Sequence, residues 1–161
     1  MLYKKVMNET GGEFVEATPN EVREEMMAID HFSKRGTQVY TPEEAKFLVS
    51  DALAKFQEER IVAFYFDDNH ELIDSETIAV GTIDRASLYP REVVRAMVTN
   101  GATALILAHN HPAGEATASQ ADRRMTRRIC DALGLIDCRL IDHIILSANG
   151  NRFSFNEAGF I

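Results

Sequence analysis

No apolar run in the sequence approaches the roughly 20 residues that a bilayer span requires, so no segment reads as a transmembrane helix and no membrane partner is expected. Its first residues, Met1-Leu2-Tyr3-Lys4-Lys5-Val6, lack the apolar stretch of a secretory signal, and export is not expected. Cysteine is scarce. Cys130 and Cys138 are the only two, too far apart for a CxxC pair and too few for a disulfide framework. That usage suits a reducing compartment, and the cytoplasm is the expected location. Basic charge is short as well: 17 Lys and Arg against 25 Asp and Glu leave a net charge of −8. The overall field of such a chain would not hold it on a phosphate backbone, although a local patch still could.

What is present is the composition of a globular domain, 45% apolar and 26% charged, which excludes disordered and fibrous classes. At 161 residues the length suits one domain with a short extension. Residues 1–40 read as that extension, with a short strand at Glu13-Phe14-Val15 and a helix opened by Thr18-Pro19-Asn20-Glu21. The domain proper is expected over 41–161. Thr41-Pro42-Glu43-Glu44 opens a helix as a capping box, with Phe47, Leu48, Leu53 and Phe56 as its apolar stripe. Ile61 to Phe66 is a buried strand, Asp67-Asp68-Asn69-His70 a turn, and Leu72 to Val80 a returning strand. A helix starts at Pro90 and is stopped by Asn100-Gly101. Residues 103–108 form a second buried strand, and Ser119 caps a helix ended by Gly134. Cys138 to Leu146 and Arg152 to Phe155 are two further strands joined at Asn149-Gly150. Alternating strands and helices give an α/β fold around a mixed sheet.

The chemistry concentrates in His109-Asn110-His111 and Asp122. Two histidines two apart at a strand's end point to the same side, so both imidazoles reach one ion. Asp122 lies one turn into the next helix, three residues after Ser119, and Pro112 and Gly114 shape the connecting loop. Catalytic zinc takes three N or O ligands and keeps a fourth position for water. Paired imidazoles beside a carboxylate make little sense as core packing, because their polar atoms need partners.

His-x-His, seven residues, Ser, two residues, Asp resembles the JAMM motif of the JAB/MPN metallohydrolase superfamily. His109-Asn110-His111-Pro112-x-Gly114, the upstream Gly81-Thr82-Ile83-Asp84-x-Ala86-Ser87-x-x-Pro90-Arg91-Glu92-Val93 and the late Asp142-His143-Ile144-Ile145 are similar to its RadC-like family. Ala113 and Ala118 depart from a pattern that often has Ser and Pro there, at positions that ligate no metal. The resemblance covers roughly residues 41–161, and residues 1–40 resemble the leader of stand-alone members without a helix-hairpin-helix region. It implies a cytidine-deaminase-like JAB/MPN fold, a mixed curved sheet flanked by helices. It also implies zinc on His109, His111 and Asp122, with Glu59 as general base and its neighbour Glu58 as the alternative. Ser119 would donate to a developing oxyanion. The reaction implied is hydrolysis of an amide or isopeptide bond in an unidentified peptide or protein, as by a metallopeptidase.

A nucleobase deaminase would need His-x-Glu and Pro-Cys-x-x-Cys, and neither occurs. Arg123, Arg124, Arg127 and Arg128 share one helical face next to the metal residues. They read as a solvated face paired with carboxylates, or as a nucleic-acid patch that would suit the family's historical association with DNA repair. No aromatic interleaves with them to stack bases. On that alternative the metal site is structural or vestigial. Asp142-His143 is open between orienting a metal ligand and bracing a strand edge. His31 and His70 read as ordinary surface histidines, and Arg91-Glu92 as a helix-start pair.

Overall fold

The computed structural model describes residues 3–8, 11–16, 35–81 and 88–161. The chain divides into two compact units, Met1–His31 and Phe32–Ile161. In the first, β1 (Tyr3–Asn8) pairs antiparallel with β2 (Gly11–Glu16). β2 contains the strand expected at 13–15, while the helix expected from Thr18 lies outside the described residues. Thr82 to Ser87 of the upstream motif also lie outside them.

The second unit contains α1 (Pro42–Leu53), β3 (Arg60–Phe66), β4 (Leu72–Val80), α2 (Pro90–Asn100), β5 (Ala104–His111), α3 (Gln120–Gly134), β6 (Arg139–Ser147) and β7 (Arg152–Ser154). Its five strands form one mixed sheet in the order β4-β3-β5-β6-β7, in which only β5 and β6 run parallel. Their connection passes through α3, as a parallel pair requires a crossover. Residues 36–39, grouped with the extension by sequence, bond instead to the 70–72 turn, through Gly36 N–H to Leu72 O and Val39 N–H to His70 O. None of the described helices is long and apolar enough to cross a membrane.

Strand alternation divides the core. Val62, Phe64 and Phe66 of β3 face α1 together with Ala104, Ile106 and Ala108 of β5. Ile61, Ala63 and Tyr65 join Leu105 and Leu107 against α2 and α3. Because both faces are covered, β3 is apolar from Ile61 to Phe66 and β5 from Ala104 to Ala108, and each fully buried Leu, Ile or Phe adds about 1.5–3 kcal/mol. α1 has the expected capping box: Glu44 N–H donates to Thr41 Oγ1, and the Glu44 carboxylate accepts from Thr41 N–H. Its buried face is Ala45, Leu48, Val49, Ala52 and Leu53. Phe47 is not on it: at 72% exposure it falls off the stripe by one position, while Phe56 packs against the core from beyond the helix end. Gly101 ends α2 in the left-handed region (φ 65). Gly134 is the last residue of α3 but not a left-handed stop. It remains helical, and the left-handed turn comes at Asp137 (φ 54), a residue type that tolerates it.

A candidate metal centre at the end of the central strand

β5 carries its alternation into the site. His109 continues the side of Leu105 and Leu107, under α3, and Asn110 continues the opposite side, under α1. His109 is fully buried, with Nε2 2.5 Å from Glu59 Oε1 and Nδ1 3.4 Å from Asp122 Oδ1. The His111 ring stands at 90° to that of His109, centroids 4.6 Å apart. Its Nδ1 donates to Glu115 O at 2.9 Å, which orients the ring and leaves Nε2 as its second nitrogen. That Nε2 is buried and makes no hydrogen bond, and neither does His109 Nδ1.

Ser119 and Asp122 form a second capping box. Ser119 N–H and Oγ donate to Asp122 Oδ2 at 2.8 and 2.6 Å, and Asp122 N–H returns a bond to Ser119 Oγ at 3.1 Å. The helix cap therefore fixes the carboxylate and directs Oδ1 toward His109. Burial pushes the Asp122 carboxyl up, but the His109 ring and then the Ser119 hydroxyl and amide outweigh it and hold the group well below the usual carboxylate range. The folded state thus binds this proton more weakly than the unfolded chain does. The group stabilises the fold above about pH 4 and loses that contribution as pH falls. In urea unfolding of the metal-free protein, the advantage of wild type over Asp122→Asn should shrink between about pH 5 and pH 3. An advantage independent of pH would contradict this assignment.

Sequence left Glu58 and Glu59 as alternatives, and the structure brings only the Glu59 side chain to His109. Glu58 is exposed and uses its backbone carbonyl to accept from Asn110 Nδ2 at 2.9 Å. Donor atoms of Glu59, His109 and His111 lie within 4.8 Å of one another, the one such group among the described residues. Asp122 stands just outside it, on the other edge of His109. Two imidazoles and two flanking carboxylates, with buried ring nitrogens lacking hydrogen bonds, are a donor set suited to one zinc-like divalent ion. The opening is a cleft lined by Glu59, Gly81, His111, Pro112 and Gly114.

Sequence reasoning missed Asn110. It is 3% exposed, and its carboxamide accepts from Arg60 N–H at 2.6 Å and donates to Glu58 O. It ties down both neighbours of Glu59, while the Glu59 carbonyl accepts from Gly81 N–H at 2.8 Å. The signal available was a polar residue on the buried side of a strand whose other face carries the histidines.

Asp142 braces the chain end, accepting from Ser154 Oγ, Asn156 N–H and His143 N–H. His143 lies behind the site, its ring 6.1 Å from that of His109 and its Nδ1 2.7 Å from Thr126 Oγ1, which donates to Asp122 O. None of the four α3 arginines forms an ion pair with a described carboxylate, unlike the paired face that composition suggests. Arg123 instead lies over the Phe160 ring, 4.2 Å from its centroid, an aromatic that the distant C-terminus supplies.

A strand-end histidine pair facing a capped helix aspartate, on a five-stranded mixed sheet covered by helices, defines an α/β protein with a candidate metal site. Residues 39–160 match the RadC-like JAB domain, and the chain belongs to that family. It is 48% identical over 128 residues to a UPF0758 protein of Vibrio campbellii, covering 80% of this chain and 57% of that protein. The match to a UPF0758 protein of Vibrio parahaemolyticus is 47% over the same coverage, and that to one of Chromohalobacter salexigens is 42%. The chain thus spans 57% of the length of these relatives.

Proposed function

We propose that the protein is a zinc-dependent hydrolase of amide or isopeptide bonds, a JAMM-type metallopeptidase acting in the cytoplasm on a peptide or protein. The observation that carries this reading is the buried His111 Nε2. Its ring is oriented by a bond to Glu115 O, and the bare nitrogen makes no hydrogen bond beside His109 and two carboxylates. His109, His111 and Asp122 would hold the ion, which when bound supplies Lewis acidity toward water and a carbonyl. Glu59 accepts a proton at Oε1 and returns it to the leaving amine, a role its half-buried place at the cleft allows. Ser119 positions Asp122. To donate to a developing oxyanion its hydroxyl would exchange Asp122 Oδ2 for the substrate oxygen. A purely structural zinc would normally have four protein ligands and no cleft beside it.

The test is metal content by elemental analysis of the purified protein and of a His109→Ala, His111→Ala double variant. One zinc per chain, absent from the variant, is expected. A wild type that stays metal-free after zinc is supplied would overturn the reading. A second reading, nucleic-acid binding by α3, is favoured by its four arginines, none ion-paired to a described carboxylate, and by the Arg123–Phe160 contact. Salt-dependent DNA binding lost in Arg127→Ala, Arg128→Ala would support it, and salt-independent or absent binding would end it.

A further inference from the structure

On the α1 side of the metal residues lies a second cavity, of about 270 Å³, which shares His111 and Pro112 with the cleft that holds Glu59. Leu53, Phe56 and Leu146 supply its apolar walls, and Arg152 is the only lining residue with a permanent charge. The placement follows from sheet register. Asn110 pairs with Leu146 and Leu146 with Arg152, so the three stand in one row on one face across β5, β6 and β7.

The polar walls are mostly satisfied already. Ser50 Oγ donates to Lys46 O, Ser147 Oγ to Asn149 and Asn151, and the Asn110 carboxamide is engaged by the 56–60 segment. The Arg152 guanidinium makes no hydrogen bond or ion pair to a described residue, in a chain with net charge −8. Two further cations lie over the Phe56 ring without lining the cavity, the Arg60 guanidinium at 3.9 Å and Lys55 Nζ at 5.1 Å from its centroid, and the buried Arg60 Nε makes no hydrogen bond. A ligand therefore gains from this cavity through apolar contact and through one negative charge, and finds little else to bond.

We propose that the cavity is a substrate subsite beside the metal centre, accepting an apolar side chain with a carboxylate next to it, and that Arg152 determines this specificity. The word substrate rests on the hydrolase reading above, whereas the binding itself needs neither metal nor turnover. The carboxylate has two sources, the C-terminus of a peptide or a neighbouring acidic side chain, and Arg152 would grip either through its planar fork.

The experiment follows backbone amide shifts of the full-length, metal-free protein by NMR during titration. The probes are N-acetylleucine, its uncharged analogue N-acetylleucinamide, an acetylated and amidated leucyl-glutamate, and inorganic phosphate. N-acetylleucine is expected to move the amides of Ala54, Ser147 and Gly150. It should bind roughly tenfold or more tightly than the uncharged analogue, as one charge-assisted bond allows. Arg152→Gln, an exposed position whose spectrum elsewhere should match wild type, is expected to remove that difference. Preference for N-acetylleucine over the leucyl-glutamate would assign the terminal carboxylate, and the reverse preference the side-chain one; both support the subsite. Equal binding of charged and uncharged probes, no effect of Arg152→Gln, or binding of phosphate without N-acetylleucine would overturn it. A protein that binds N-acetylleucine but takes up no zinc would keep the pocket and lose the hydrolase. One that takes up zinc but binds no probe here would lose only the subsite.

Discussion

Glu59→Gln in the zinc-loaded protein is expected to lower kcat for amide hydrolysis by about 10²–10⁴-fold with metal content unchanged. The side chain is half-buried, meets His109 Nε2 at 2.5 Å and lines the open cleft, so it reaches both the metal residues and an incoming substrate. Glutamine keeps the size and a hydrogen-bonding oxygen but cannot take up a proton. If Glu59 served mainly as a metal ligand, the same substitution would lower zinc stoichiometry together with rate. Elemental analysis beside kinetics on peptides and isopeptides separates the two. Glu58→Gln is the control, since its side chain is exposed and its contribution to the site is a backbone carbonyl. A variant at Glu59 that retained activity within a few-fold, or an equal loss at Glu58, would remove Glu59 from the chemistry.

The parts of this site that sequence revealed are those where local pattern and chemistry coincide. His109 and His111 sit at period two on a strand, and Ser119 and Asp122 at the spacing of a capping box, so backbone geometry alone brings each pair to one side. The α1 capping box and the Gly101 stop were legible for the same reason. The resemblance favoured Glu59 over Glu58, and what sequence could not supply is the tertiary pairing: β3 places Ile61 opposite His109, and the chain just before it must cross the end of β5. The Arg123–Phe160 contact and the Arg152 cavity join segments far apart in sequence, and no window of the chain contains them. Phe47 and Gly134 were misjudged because residue type suggests a role that helix phase and backbone angle then decide.

Asn110→Ala is expected to cost about 2–4 kcal/mol of stability in urea unfolding, and to lower turnover by about 10²-fold under conditions where the variant is still folded. β3 and β5 pair in register only up to Ile61 and His109. Beyond that point the strands part, and the Asn110 carboxamide replaces the missing ladder, accepting from Arg60 N–H and donating to Glu58 O and, at 3.4 Å, to Phe56 O. Alanine leaves that part-buried amide and carbonyl without their partner, at a cost of about 1–3 kcal/mol each. It also frees the turn that presents Glu59, and misplacement of a proton acceptor by about 1 Å suffices for such a rate loss. Met97→Ala supplies the comparison: a fully buried core residue on α2, outside the site, whose truncation costs about 2–5 kcal/mol. If stability alone governed activity, the two variants would lose turnover alike. A loss confined to Asn110→Ala, with zinc still bound, is the result that identifies the residue between the two histidines as the one that holds Glu59 in place.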